Sequence, residues 1–327
     1  MSGFYNRFLD RYRRDIMLKV ELPNPNWIKN GHVLNTYKHP VMWGASRYVQ
    51  SNKYSRDVCE ESNLRKMKLR NSMFVVYDED NMCVQNYTNN SELSKLEVIP
   101  IDSNMVVIKC ESMPKDLLLD MRYLYFNVKV KCYTTLCNKF VTSETVIDCG
   151  NNAASWLCSR FFCRGLNNGR LRLGFCFPEK NKEVTFWENY KKLSERYSDE
   201  RDILMNRWEA PIINIISVKS AGSVKCDLDR AEIEKNFHPD IIITSDKPFE
   251  EHKWKWMRIG KAVFRNIRPL PKNVDMNDMP VEMKWEMLPT YWEIFSPGNV
   301  EVNLNILVHH PSKRDIDSML EQLPNLK

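Results

Sequence analysis

The sequence has no apolar run approaching the about 20 residues that a membrane-crossing helix needs. It also has no C-x-x-C pair, no G-x-G-x-x-G, no P-loop and no H-E-x-x-H. The first absence excludes a helical membrane span. The others remove the common signatures for zinc knuckles, dinucleotides, nucleotide phosphates and metalloprotease zinc. The ten cysteines are scattered, and Cys132 to Cys137 and Cys158 to Cys163 each enclose four residues with no histidine nearby, poor spacing for zinc. Reduced, mostly buried thiols in an intracellular, cytoplasmic protein are the expectation. The start does not read as a secretory signal. His309 and His310 lack acidic or thiol companions and read as a solvated pair.

What is present is a chain of 327 residues, long enough for one large or two ordinary domains, with a mild net charge of +6 that permits an acidic partner without demanding one. Phe4, Phe8, Tyr12, Ile16 and Val20 recur every four residues among Arg7, Arg11, Arg13 and Arg14, which predicts a basic amphipathic helix over residues 1–20. Docking on the protein's own surface is the first reading. Peripheral contact with an anionic membrane, or a presequence-like role in mitochondrial association, is the alternative. Residues 31–128 read as short strands with polar turns, and 127–147 as two more strands. Asn151 to Phe162 reads as an amphipathic helix, 183–208 as a charged, solvated helix, and Pro211 to Val218 as a buried strand.

The most informative stretch is 236–275. Ile241-Ile242-Ile243-Thr244 is a short β-branched run between His238-Pro239-Asp240 and Ser245-Asp246-Lys247-Pro248, which have turn chemistry. A second strand is predicted after Gly260, with Val263 and Ile267 on one face and Phe264 on the other, ending where Pro269 and Pro271 cannot donate to a ladder. Asp240 and Asp246 read as turn or cap residues. His252, Lys253, Trp254, Lys255 and Trp256, with Arg258, Arg265, Arg268 and Lys272, mix basic and aromatic groups as strand-stacking surfaces do, so nucleic-acid binding is one alternative.

The order of residues in this stretch resembles the core of the MOSC family, the molybdenum-cofactor sulfurase C-terminal domains, and within it the amidoxime-reducing branch. That family reads R-F-R-P-N-I, a strand, P-F-E-E-D-E-W, R-I-G, F and K-P-C-S-R-C. Here Phe237, Pro239, Ile241, Pro248-Phe249-Glu250-Glu251, Trp254, Arg258-Ile259-Gly260, Phe264 and Pro269 match without a gap over nearly forty residues. Weaker matches extend outward. His39-Pro40-Val41 stands for Y-P-V, Phe74 to Asp78 for W-M-V-V-D, Asp148-Cys149-Gly150 for the start of a bridging helix, and Tyr291 to Val302 for the closing strands.

The resemblance implies an α+β fold: a β-rich MOSC-type β-barrel domain with an N-terminal MOSC-associated β-rich domain and peripheral helices. The implied boundaries are 1–30 for the basic extension, 31–147 and 148–310 for the two domains, and 311–327 for a tail. Phe249 and Trp254, at framework positions, should be buried. The departures fall on the chemistry. Asn273 stands at the family's metal-ligand cysteine, and Met42, Trp43, Ser72, His238 and Asp240 stand where cofactor-phosphate contacts are implied. Asn86 similarly replaces an arginine. Molybdenum needs a soft thiolate, which a carboxamide does not supply. The expectation is therefore a pseudoenzyme, with no catalytic residue and no cofactor, acting as a binding module for a protein partner. A molybdenum-cofactor reductase of N-hydroxylated substrates is the enzyme alternative.

Overall fold

The computed structural model describes residues 25–54, 69, 71–85, 90–136, 139–159, 170–176, 212–226, 228–266 and 276–309. The basic start at 1–20, the charged stretch 183–208, Asn86, Asn273 and the tail 311–327 lie outside the described residues.

In chain order, β1 (Ile28–Lys38), β2 (Arg47–Val49) and β3 (Ser51–Tyr54) come first, followed by β4 (Phe74–Asp78), β5 (Glu97–Pro100), β6 (Met105–Lys109) and β7 (Leu117–Asp120). A one-turn helix α1 (Met121–Leu124) leads to β8 (Lys129–Leu136), β9 (Lys139–Asp148), α2 (Asn151–Cys158) and β10 (Leu171–Cys176). After these come β11 (Ile212–Ser217), α3 (Val218–Val224), α4 (Arg230–Phe237), β12 (Ile241–Ile243), β13 (Trp256–Ile259) and β14 (Ala262–Asn266). The last elements are α5 (Val281–Glu286), β15 (Thr290–Ser296), β16 (Gly298–Glu301) and β17 (Asn305–His309).

Seven strands close a barrel in the order β12-β11-β15-β14-β13-β17-β1, with β1 pairing back to β12 and β2 added beside β1. Full closure leaves no unpaired edge. Every stave sends an apolar side chain to one interior cluster, among them Val33, Ile215, Ile243, Met257, Phe264, Trp292 and Ile306. Strand β12 shows why its sequence is an unbroken isoleucine run. It pairs parallel with β11 and is covered on both faces. Ile241 and Ile243 fill the barrel, while Ile242 packs outside with Tyr37, Ile233, Phe249 and Leu288. At about 1.5–3 kcal/mol for each fully buried side chain, this three-residue strand contributes more than its length suggests.

Phe249 and Trp254 are both buried, as their framework positions imply. The succession of strands in 236–275 predicts that they are neighbours in the sheet, and the structure corrects this. The hairpin β13–β14 turns at Gly260, but β12 does not lie beside it. Ser245 to Lys255 crosses one end of the barrel through a 3-10 turn at Glu250–His252, and β12 slots between β1 and β11. Parallel pairing with β11 demands such a crossover, and here α3 and α4 supply it. Both Val263 and Phe264 are buried, so β14 has no solvent face at that point.

Two further sheets stand between β3 and β11 in the chain. One has the order β4-β10-β9-β8 and the other β5-β6-β7. A core of Phe74, Val76, Leu93, Val106, Ile108, Leu157 and Leu173 joins them. Val75, Tyr77, Cys132 and Val146 cover the opposite face of the four-stranded sheet. No helix among the described residues is long and apolar enough to cross a membrane.

Candidate functional site

The sequence positions singled out as a cofactor cradle come from three distant segments, and the fold brings them to one place. The loop after β1 crosses from the barrel to the four-stranded sheet, where Val41 bridges Phe74 and the Phe74 amide donates to the Pro40 carbonyl at 2.8 Å. Asn71 and Ser72 lie immediately before β4. His238 caps α4, and Asp240 leads into β12.

Asp240 is the centre of the contacts. Its carboxylate accepts from the Asn71 side-chain amide at 2.5 Å and from the Asn214 backbone N–H at 2.8 Å, and the residue is 2% exposed. Its own amide donates to Asn214 O, and its carbonyl accepts from the Tyr37 amide at 2.9 Å. Asn71 also accepts from the His39 amide at 3.0 Å, so one side chain ties the loop after β1 to the aspartate. The Ser72 amide donates to the His39 carbonyl at 2.8 Å. His39 is buried, with Nε2 3.1 Å from the Pro239 carbonyl, and its ring meets His238 edge-on at 6.1 Å between centroids. Asp240 is thus an internal hydrogen-bond acceptor, which corrects its reading as a turn residue.

The backbone here is unusual in a second way. Trp43, Ser72 and His238 have φ of 64°, 51° and 45°, three of the six non-glycine positive-φ residues among those described. Each costs on the order of 1–2 kcal/mol relative to glycine's freedom. Such residues collect where surrounding structure over-determines the chain, and ligand clamps are among those places.

The side chains presented at these positions are chemically mild. Met42 is buried against Val75 and Tyr77, and Trp43 packs on the same cluster. None of Met42, Trp43, Ser72, His238 and Asp240 is a lysine or arginine, and the one formal charge is negative. Of the cations near Met42 and Trp43 in sequence, Lys38 and Arg47 donate to the Leu69 and Val98 carbonyls at 2.9 and 3.3 Å, while Arg70, two residues before Ser72, lies outside the described residues. Among the described residues no group of three or more His, Cys, Asp or Glu is placed to hold a metal ion.

Two other expectations meet the structure. His252, Trp254 and Trp256 are all buried, so the rings that suggested base stacking face the core. His309 is also buried, in β17, with Nδ1 3.2 Å from Asn26 O, and is not solvated. The described cysteines are free thiols, and only Cys226 is exposed. Burial pushes the Cys132 thiol up to about 12 and Cys149 well above its ordinary value, which makes both poor nucleophiles.

Reading the sequence missed a second buried polar pair. Glu251 and His252 sit in the 3-10 turn at the barrel end, 0% and 5% exposed, with Oε1 and Nε2 3.9 Å apart. Neither Glu251 oxygen has a well-formed hydrogen bond. The Ser220 hydroxyl and the Ser217 backbone lie close enough to favour the anion without satisfying it. Burial, against those weaker contacts, pushes the Glu251 carboxyl up to about 7, and burial lowers the His252 imidazole to about 4.

Comparison with known proteins gives two similarities. The chain is 26% identical over 135 residues to a molybdenum cofactor sulfurase of Drosophila grimshawi, covering 41% of this chain and 14% of that protein. It is 24% identical over 215 residues to mitochondrial amidoxime reducing component 2 of Bos taurus, covering 65% of this chain and 58% of that protein. Both are MOSC-containing proteins. The chain is MOSC-like. Its closed seven-strand barrel with a few helices is an α+β MOSC-type barrel, in agreement with those weak similarities. No family model matches the chain. The MOSC-like chain spans less than two thirds of the length of each of these relatives.

Proposed function

We propose that this MOSC-like protein is a pseudoenzyme, a binding module for a protein partner that carries no molybdenum cofactor. The observation that supports this reading is the Asp240 cluster. Where the family resemblance implies an asparagine that contacts the phosphate, this chain places a buried carboxylate, and its own Asn71 and Asn214 each donate to one of its oxygens. Bringing a phosphate dianion beside it costs Coulomb energy in a poorly solvated setting. Three positions where the resemblance implies a cation, Met42, Ser72 and His238, offer none that is permanent. Each charge-assisted hydrogen bond contributes roughly 1.5–3 kcal/mol, so three together are about 4.5–9 kcal/mol, or roughly a thousand-fold to a million-fold in affinity. These residues do not fit the cofactor's phosphate.

What remains is a closed barrel joined to a second β-rich unit through the hydrogen bonds around Asp240, which is suited to presenting surfaces. The test is metal analysis of the purified full chain by plasma mass spectrometry. Molybdenum well below one atom per chain is expected, for the native protein and for Asn273→Cys alike. Stoichiometric molybdenum in the native protein overturns the pseudoenzyme reading. Metal gained by Asn273→Cys alone overturns the claim that the phosphate contacts are lost.

A further inference from the structure

Among the described residues, exposed large apolar side chains crowd most closely in sequence at the turn leaving β7, far along the chain from Asp240. Tyr123 and Tyr125 are 65% and 56% exposed, Phe126 86% and Val128 72%, and Leu118 on the preceding strand is 55% exposed. Single exposed apolar residues need no explanation, but five within eleven positions do. The turn is not loose. Met121 and Leu124 are buried anchors beneath it. The Asp120 carboxylate caps α1 by accepting the Arg122 amide at 3.0 Å. The Asn127 side chain donates to the Asp148 carbonyl at 2.8 Å, and the Asn127 and Phe126 amides donate back to Leu124 O and Tyr123 O. A pinned backbone therefore holds the rings outward, so little ordering entropy is lost when they are covered.

Charge selects the occupant. From Leu118 to Tyr133 there are three basic side chains, Arg122, Lys129 and Lys131, and one acidic one, Asp120. Lys129 and Lys131 are exposed, and Arg122 lies 5.6 Å over the Tyr123 ring while Asp120 holds its guanidinium. A protruding phenylalanine tip with flanking tyrosines and a basic collar matches the layered chemistry of a bilayer surface. The apolar tip reaches the acyl boundary, the tyrosines sit at headgroup depth, and the lysines meet anionic headgroups. Exposed Val128 and Leu118 fit acyl chains and offer nothing to base stacking, which favours lipid over single-stranded nucleic acid.

We propose that the Met121–Tyr133 turn is a peripheral membrane-contact surface for anionic lipid bilayers. This surface is separate from the seam at Asp240. The test is co-sedimentation of the full chain with phosphatidylcholine–phosphatidylserine vesicles, and with phosphatidylcholine vesicles alone. Native protein is expected to partition onto the mixed vesicles, less onto the neutral ones. Phe126→Ser should weaken partitioning about tenfold, the loss of most of one buried phenyl ring, with an unchanged melting temperature because that ring is already in water. Phe126→Leu should retain most of the binding. Lys129→Glu with Lys131→Glu should abolish the preference for the anionic vesicles. The basic segment 1–20 is present in every variant, so equal sedimentation of native and Phe126→Ser protein overturns the proposal by assigning any binding elsewhere. Absence of binding to either vesicle overturns it too. A single-stranded oligonucleotide shift, or a concentration-dependent dimer, that is lost in Phe126→Ser while vesicle binding is unaffected would assign the surface to that partner instead.

Discussion

Two buried carboxylates, Asp148 beside the four-stranded sheet and Glu251 at the barrel end, have the same chemistry and opposite circumstances. Asp148 is 5% exposed and fully engaged: Arg172 grips it with Nε at 2.6 Å and Nη2 at 2.7 Å, the Tyr77 hydroxyl donates at 2.5 Å and the Gly150 amide at 2.7 Å. Burial pushes its carboxyl up, but these donors outweigh burial and the net shift is downward. Glu251 has equal or greater burial and no such donors, and its carboxyl moves the other way. Burial alone therefore does not decide what a carboxylate does in this fold. Placed donors decide it.

The largest effect that would break this contrast is Arg172→Met. Removing the cation leaves Asp148 buried with only two donors, at a cost of about 3 kcal/mol or more. A fall in the urea midpoint without a change in slope checks it, and a loss under about 0.5 kcal/mol would mean the pair is no better than a surface contact.

Glu251→Gln should move stability in the opposite direction, and pH gives the sign. The folded carboxyl titrates near 7 against an ordinary value of 4.5, so the folded state holds a proton the unfolded chain releases, and stability falls as pH rises from 4.5 through 7. The His252 imidazole is lowered from 6.5 to about 4, so its neutral form loses stability as pH falls from 6.5 through 4. Between 4.5 and 6.5 the two oppose each other. The neighbouring Glu250 adds a little to the Glu251 shift. At about pH 8, Glu251→Gln should be more stable than the native chain by on the order of 2–3 kcal/mol, and near pH 4, below the ordinary carboxyl value, the difference should vanish. Thermal melts at both pH values measure this. For Asp148, lowered below its ordinary 3.8, stability is present above that pH and is lost only as pH falls through its folded value.

Asp240→Asn sharpens the comparison at the seam. An amide there sets an NH2 against either Asn71 or the Asn214 amide, so one donor faces another, and about 1–2 kcal/mol should be lost. Chemical denaturation reads it. The smallest effect expected is His238→Gly, which removes a left-handed strain and should raise stability by up to about 1 kcal/mol if the ring's contact with His39 contributes little.

Much of the barrel was legible because its signals are local. The isoleucine run of β12, the glycine turn at Gly260 and the framework aromatics Phe249 and Trp254 each depend on near neighbours. The seam was half legible. Its members His39, Ser72, His238 and Asp240 stood out one at a time through resemblance, yet the pairing that joins them runs through Asn71, 169 residues from Asp240, which no periodicity reports. Asn214 went unnoticed although a polar residue inside Ile212-Ile213-Asn214-Ile215-Ile216 is a visible anomaly. The burial of Glu251 and His252 had no local signal at all, since a charged pair before Lys253 looks like any polar loop. Their placement is dictated by the crossover to β13 and not by their own chemistry.

The pairing of β1 with β12 and β17 has a consequence for how the protein is made. Residues 28–38 leave the ribosome long before their partners at 241–243 and 305–308. Gly31, at φ 90°, lets β1 come so near Thr244 that a Cβ there would lie 2.0 Å from its carbonyl oxygen, so the join tolerates no side chain. Until residues 241–243 and 305–308 are made, β1 has β2 beside it but an open hydrogen-bonding edge elsewhere, while β4 to β10 already have their mutual partners. Contacts this distant in sequence are slow to form and expose strand edges meanwhile. A nascent chain would fold its β4 to β10 unit before its barrel, with β1 waiting on β12 and β17.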